Sequence, residues 1–201
     1  MKHVLLLGDS IRINYQEAVK SALGEEYEVH YPADNCRFAA YTLHHLRHWL
    51  PTVPKPDVVH WNNGIWDIEH FYGEEHPFTP LEEYISYLQR IVRAIRYIYG
   101  QEQRIIFALT TPQRSENGRE NYLLYNAAAS EALQAMGCEI NDLYQVIAAD
   151  IDTYICEDGC HLSEAGITAA AQAVVKSISI GEVHCSTTQP APCPTLNTII
   201  R

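Results

Sequence analysis

Short apolar segments alternate with longer helical segments five times along this chain, and no other pattern in it restricts the fold as strongly. The predicted strands cover residues 4–7, 27–31, 57–61, 104–109 and 139–143. The predicted helices cover residues 11–23, 38–50, 81–99, 121–136 and 163–178, whereas residues 144–160 fit neither pattern. Strands joined through helices lie parallel, with helices on both faces, so the alternation predicts an α/β domain with a mainly parallel five-stranded sheet.

The clearest helix follows Thr79 and Pro80. A threonine cap, a proline in the first turn and Glu82 three residues after the cap form a helix-start signal. Apolar residues then recur with a period of 3.6 up to Gly100. We interpret this apolar stripe as core packing.

The length and the charge limit the organisation and the partners of the chain. Its 201 residues suit one domain over residues 1–180, followed by a proline-containing tail over residues 181–201. The formal net charge of -11 argues against nucleic acid and anionic membranes as partners. The sequence leaves the oligomeric state open.

The first residues, MKHVLLLGD, contain an apolar run too short for a signal peptide, and no stretch approaches the ~18 apolar residues of a membrane span. We therefore expect a cytoplasmic protein. Its six cysteines are then free thiols. Cys185 and Cys193 would be the pair to suspect if the protein were exported.

Gly8, Asp9 and Ser10 lie where the first strand ends and the first helix begins. In open α/β sheets, ligands bind at the carboxyl ends of the strands, so Ser10 occupies a favourable position. A serine here has two interpretations. It can cap the helix, or it can act as a nucleophile if the chain supplies a base and oxyanion donors.

Asp158 and His161 form a D-x-x-H pattern directly before the last predicted helix. This spacing allows one turn to bring a carboxylate beside an imidazole. Serine hydrolysis needs such a pair, because the imidazole removes the serine proton and the carboxylate orients the ring.

The GDSI segment at residues 8–11 and the DGCH segment at residues 158–161 resemble the first and last blocks of the SGNH (GDSL-type) esterase and acylhydrolase superfamily. The resemblance spans the chain up to about residue 180. It implies a flavodoxin-like three-layer α/β/α sandwich and a Ser-His-Asp triad. The G-x-S-x-G elbow of the other major hydrolase fold is absent from the sequence.

The resemblance also implies a role for each matching residue. Ser10 would attack the acyl carbonyl, His161 would act as base and then acid, and Asp158 would orient His161. Family oxyanion donors are the serine amide, an amide of a second-block glycine and a third-block asparagine side chain. This chain has no glycine over residues 34–37, so Arg37, or alternatively Cys36, would supply the amide. In the third block, WNNGIWD, Asn62 is the first choice and Asn63 the second.

These residues support the hypothesis of a serine ester hydrolase that forms an acyl-enzyme and needs neither cofactor nor metal. The family and the aromatic residues after the third strand suggest a small acyl-ester substrate, such as an acetylated carbohydrate. Transfer of the acyl group to another alcohol stays open.

Two hypotheses of other classes also stay open. One is a non-catalytic flavodoxin-like module that binds a small molecule or an anion at the turn of residues 8–10. The other is a metal-dependent hydrolase in which Cys156, Cys160 and His161, with His184 or Cys185, bind zinc.

Overall fold

A five-stranded parallel sheet forms the centre of the computed structural model, which describes residues 1–115 and 119–180. The strands are β1 (Lys2–Leu7), β2 (Tyr27–His30), β3 (Val58–Trp61), β4 (Arg104–Ala108) and β5 (Glu139–Asn141). They lie in the order β2-β1-β3-β4-β5, and each neighbouring pair is parallel. The α/β class with a parallel five-stranded sheet is therefore confirmed.

Eight helices follow the strands in the described part of the chain. They are α1 (Ser10–Leu23), α2 (Ala39–Trp49), α3 (Ile65–Ile68), α4 (Leu81–Tyr99), α5 (Arg119–Gln134), α6 (Leu143–Ala148), α7 (Ile151–Tyr154) and α8 (Glu164–Ile180). α1 packs along α8, whereas α2 packs against α4 and α4 against α5. These two groups cover opposite faces of the sheet. The result is the three-layer α/β/α arrangement that the resemblance implies.

Burial explains why the central strands have no polar alternation. Val4 to Leu7 of β1 are all fully buried, because β1 lies between two other strands and has helices on both faces. In the edge strand β2, by contrast, Glu28 is exposed, Val29 is buried and the two end residues are partly buried. The carboxyl ends of β1, β3 and β4 meet at one edge of the sheet, where the candidate site lies.

Two predictions about local structure need correction. β5 ends at Asn141 and not at Leu143, because Asp142 caps α6 by accepting a hydrogen bond from Gln145 N–H. Residues 144–160, which the sequence left unassigned, contain most of α6 and all of α7. α4 has no side-chain cap, since Thr79 interacts with Asp67 instead of the helix.

The tail of residues 181–201 lies outside the described residues, and with it the predictions about His184, Cys185 and Cys193. Cys36, Cys138, Cys156 and Cys160 are free thiols, as expected. Within the described ranges, no helix combines the length and the apolar character that crossing a membrane requires.

Candidate active site

The turn between β1 and α1 presents Ser10 as the first residue of a helix. Asp9 is the helix cap, and its Oδ1 accepts a hydrogen bond from Ile11 N–H at 3.0 Å. The interpretation of Ser10 as the cap is therefore wrong. The Ser10 side chain is half-buried, and it makes no hydrogen bond with the described residues. Its hydroxyl is available for other chemistry.

Asp9 is a fully buried carboxyl group at the base of this turn. Asn62 Nδ2 donates to Asp9 Oδ1 at 2.8 Å. Burial raises the pKa of Asp9 to about 6, although the hydrogen bonds from Asn62 and Ile11 and the charge of Arg12 oppose this shift. The turn that carries Ser10 is thus fixed to the end of β3.

Gly8 allows the turn to approach β3 this closely. Its φ is +154°, and a Cβ atom built on it would lie 2.0 Å from Asn62 Oδ1. Its carbonyl accepts a hydrogen bond from Cys36 N–H at 3.1 Å. Any side chain at position 8 would collide with Asn62, so glycine is required there.

Asp158 and His161 form the expected pair. His161 Nδ1 lies 2.7 Å from Asp158 Oδ2, while Asp158 Oδ1 accepts from the N–H groups of Cys160 at 2.9 Å and His161 at 3.0 Å. The hydrogen bond from Cys160 N–H, followed by those from the His161 ring and amide, lowers the pKa of Asp158 to about 2. The carboxylate is therefore ionised at neutral pH and orients the ring.

The turn that holds His161 is attached to the helix that begins with Ser10. Asn14, one helical turn after Ser10, accepts a hydrogen bond through its Oδ1 from Leu162 N–H at 3.2 Å. Cys156 N–H donates to the His161 carbonyl at 2.8 Å. Residues that are about 150 positions apart in sequence thus share one rigid arrangement.

Ser10, Asp158 and His161 line one cavity of about 460 Å³. The other lining residues are Asn35, Ile65, Trp66, Glu69, Phe71, Gln113 and Cys160. A neighbouring cavity of about 440 Å³ shares Glu69 and Gln113 with the first. These volumes are in the range of small-molecule sites.

The two expected side-chain oxyanion donors, Asn62 and Asn63, are not among the residues that line the cavity. Asn62, which is 4% exposed, donates one N–H to Asp9 and keeps a second. Asn63 is fully buried, and its Nδ2 donates to the Arg37 carbonyl at 2.7 Å.

The backbone donors differ in their present hydrogen bonds. Arg37 N–H donates to Asn35 Oδ1 at 2.7 Å, and Cys36 N–H donates to the Gly8 carbonyl. Both second-block amides are thus already engaged. The Ser10 amide lies in the first turn of α1, where N–H groups have no acceptor within the helix. It is therefore the readiest of the expected oxyanion donors.

Arg12 has a supporting role that the sequence analysis missed. It is fully buried, and its guanidinium donates to the carbonyls of Gly8 at 3.2 Å, Pro32 at 3.1 Å and Asp34 at 2.6 Å. These bonds hold the loop that carries Asn35 against the Ser10 turn. Its position two residues after Ser10, on a helix expected to be amphipathic, gave no signal of burial.

Asp67 is the second missed residue. Both of its carboxyl oxygens accept from Ala39 N–H, at 3.0 and 3.2 Å, at the start of α2. Burial raises its pKa to about 7, although hydrogen bonds from Thr79 and Ala39 oppose this shift. Asp67 ends the WNNGIWD segment, so an acidic residue closing the third block was the available signal.

The geometry bears differently on the two other hypotheses. Asp9 places a carboxyl group on the first amides of α1, which disfavours an anion there. Cys156, Cys160 and His161 do not lie close enough together to bind one metal ion. Within residues 1–115 and 119–180, the group of three potential ligands that does lie together is His3, Glu28 and His30.

No protein-family model and no curated protein sequence matches the chain. Several solved structures, however, are similar to this chain. LAE5, an alpha/beta hydrolase enzyme from the metagenome of Lake Arreo, Spain, is 16% identical with a TM-score of 0.74, over 88% of this chain and 94% of that one. The acetyl xylan esterase AlAXEase is 14% identical with a TM-score of 0.70, over 88% and 99%.

Axe2, an acetylxylan esterase from Geobacillus stearothermophilus, is 18% identical with a TM-score of 0.71, over 88% of this chain and 94% of that one. Two further Axe2 structures, with alanine replacing a serine and a histidine, are described as catalytic mutants. At these identities the likeness shows the fold. The three-layer α/β/α fold that the resemblance implied is confirmed.

Proposed function

We propose that this chain is a serine ester hydrolase with Ser10 as nucleophile, His161 as general base and acid, and Asp158 as the residue that orients His161. The observation that supports this most is that all three side chains line one cavity, with His161 Nδ1 already 2.7 Å from Asp158. Solved structures with the same fold are named esterases, and alanine variants at a serine and a histidine of one of them are described as catalytic mutants.

The reaction proceeds in two balanced steps. His161 Nε2 removes the hydroxyl proton of Ser10 while the Ser10 oxygen attacks the acyl carbonyl. The same proton then passes from His161 to the departing alcohol. Water attacks the acyl-enzyme in the second step, giving its proton to His161, which returns it to Ser10 as the acid leaves. Asp158 stays ionised throughout, because hydrogen bonds hold its pKa at about 2.

The oxyanion that forms in each step needs N–H donors. The Ser10 amide and the second N–H of Asn62 are the candidates, with Asn63 next. An amide of the loop at residues 35–37 becomes available if Asn35 releases Arg37 N–H when substrate binds. One such donor typically contributes ~3 kcal/mol to transition-state stabilisation.

The substrate we propose is a small acyl ester, such as an acetyl group, on a carbohydrate. Trp66 and Phe71 line the cavity beside Ser10 and offer faces on which a sugar ring can stack. Two of the solved structures with the same fold are named acetyl xylan esterases. The neighbouring cavity at Glu69 and Gln113 would hold the next part of the alcohol.

A fluorophosphonate probe tests the nucleophile. We expect the purified protein to be labelled on Ser10, as located by peptide mass, and labelling to be lost in Ser10→Ala and in His161→Ala. Ser179→Ala and His44→Gln are matched controls that should label normally, because Ser179 bonds within α8 and His44 is exposed on α2.

Activity on 4-nitrophenyl acetate and on acetylated xylo-oligosaccharides then tests the reaction. Both triad variants should lose at least about 1,000-fold in kcat. Failure of the folded wild-type protein to label would overturn the proposal. If the protein is labelled but hydrolyses 4-nitrophenyl acetate and not the acetylated xylo-oligosaccharides, only the proposal of a carbohydrate substrate would be overturned.

A further inference from the structure

His3, Glu28 and His30 form a cluster on the two strands at one edge of the sheet. In the parallel pairing of β1 and β2, His3 lies opposite Glu28 and Leu5 lies opposite His30. Side chains alternate along a strand, so all three project from the same face. Glu28 is exposed and both histidines are half-buried, which leaves the cluster open to solvent.

The ligand atoms of the cluster are close to one another. His3 Nδ1 lies 3.1 Å from His30 Nε2 and 3.5 Å from Glu28 Oε2, and His30 Nε2 lies 3.7 Å from Glu28 Oε1. Two ligands of a tetrahedral zinc ion are separated by about 3.3–3.4 Å when each metal–ligand bond is about 2.0–2.1 Å. The two contacts to Glu28 involve different carboxylate oxygens, and with one ligand atom taken from each residue all three atoms lie within 4.8 Å of one another. The three residues can therefore each place one ligand atom around a single ion.

The chemistry of the donors matches a borderline divalent metal ion. Two imidazole nitrogens and one carboxylate suit zinc, cobalt, nickel or copper better than calcium or magnesium, which prefer oxygen ligands. The imidazole planes are only 21° apart, with ring centroids 5.4 Å from each other. Because Glu28 is exposed, water can reach the cluster and complete the coordination.

The backbone fixes the strand that carries His3. Asp57 Oδ2 accepts from His3 N–H at 2.7 Å, and Asp57 N–H donates to the His3 carbonyl at 2.8 Å. His30 is held by the pairing of β2 with β1. Metal binding would therefore require little rearrangement of the main chain.

We propose that His3, Glu28 and His30 bind a divalent ion of the zinc class, which clamps the edge strand β2 to β1. The site is separate from the proposed active site. His3 lies at the start of β1, and about 13 Å of strand separates it from Leu7, after which the Ser10 turn begins. Metal should therefore raise the stability of the protein without being required for catalysis.

Titration of the full chain with Co²⁺ and with Zn²⁺ tests the site. We expect one ion to bind per chain, with a cobalt spectrum that lacks thiolate charge transfer, and Zn²⁺ to raise Tm. His30→Gln and His3→Gln should weaken binding at least about 100-fold and abolish the Tm shift. Glu28→Gln keeps the shape of the side chain and should weaken binding about 10-fold.

The control is the double variant His44→Gln with His48→Gln, because these exposed histidines lie one turn apart on α2 and could also bind metal. It should bind like the wild type. Circular dichroism establishes that each variant is folded. Wild-type affinity in both His3→Gln and His30→Gln, loss of binding in the α2 variant, or no binding at 1 mM metal would each overturn the proposal.

Discussion

The free energy of unfolding of the wild-type protein should fall as pH rises, because a buried carboxyl group, Asp67, must then ionise inside the fold. Asp67→Asn should abolish this part of the pH dependence. Asp67 has no exposed surface, and burial raises its pKa from 3.8 to about 7. The folded protein therefore binds a proton at Asp67 that the unfolded chain has already released. Whenever the folded state holds more protons, the free energy of unfolding falls with increasing pH.

The size of this effect follows from the two pKa values. The contribution of Asp67 declines by about 1.4 kcal/mol per pH unit above 3.8 and levels off above about 7. Between pH 5 and pH 8, ionisation of Asp67 therefore costs about 3 kcal/mol. Asparagine keeps an oxygen that can accept from Ala39 N–H, and it does not ionise.

Two other buried groups make it necessary to compare the proteins at each pH. Asp9, with its pKa raised to about 6 by burial, changes stability in the same direction as Asp67. His60 has the opposite effect up to pH 6.5, because burial lowers its pKa to about 3. Both groups are present in the variant, so comparison at each pH removes their own titrations and leaves that of Asp67, together with its charge interaction with Asp9.

Urea unfolding followed by circular dichroism at half-unit steps from pH 5 to pH 8 measures the difference. We expect the variant to gain about 3 kcal/mol on the wild type across this range. Asp142→Asn is the control, because Asp142 is an exposed cap that asparagine can replace. Parallel curves for wild type and Asp67→Asn would refute the reasoning.

Two further substitutions test other parts of the structure. Asn14→Ala removes the acceptor for Leu162 N–H, so His161 should be less well positioned. We expect kcat on 4-nitrophenyl acetate to fall about 10-fold with little change in KM, and an unchanged kcat would contradict this. Gly166→Ala would place a Cβ atom 2.1 Å from the Tyr154 carbonyl oxygen. The free energy of unfolding, measured in urea, should fall by at least about 2 kcal/mol, whereas wild-type stability would show that α8 can shift.

The parts of this structure that the sequence predicted are those in which neighbouring residues carry the signal. Val4 to Leu7 are buried on both faces, so a continuous apolar run marked the strand. The last helix was predicted to begin at Ser163, and Ser163 Oγ accepts from Gly166 N–H at 3.1 Å in the first turn of α8. Asp158 and His161 interact across three residues, and their spacing alone suggested the pair.

The missed features depend on residues that are distant in sequence. Thr79 has the pattern of a helix cap, but its hydroxyl interacts with the buried Asp67, because leaving that carboxylate without partners would be more costly. Asp67 in turn binds the amide of Ala39, 28 residues earlier. No local pattern specifies such a partner, and the same holds for the engaged amide of Arg37.

The packing of α1 along α8 has a consequence for the synthesis of the protein. Ser10 leaves the ribosome long before His161, and at 5–20 residues per second the interval is roughly 8–30 s. During this interval, α1 lacks the helix that covers it, and Asn14 lacks its bond to the His161 turn. A nascent chain therefore carries a helix with an exposed apolar face for chaperones to bind, and the three proposed active-site residues are not all present until His161 has been made.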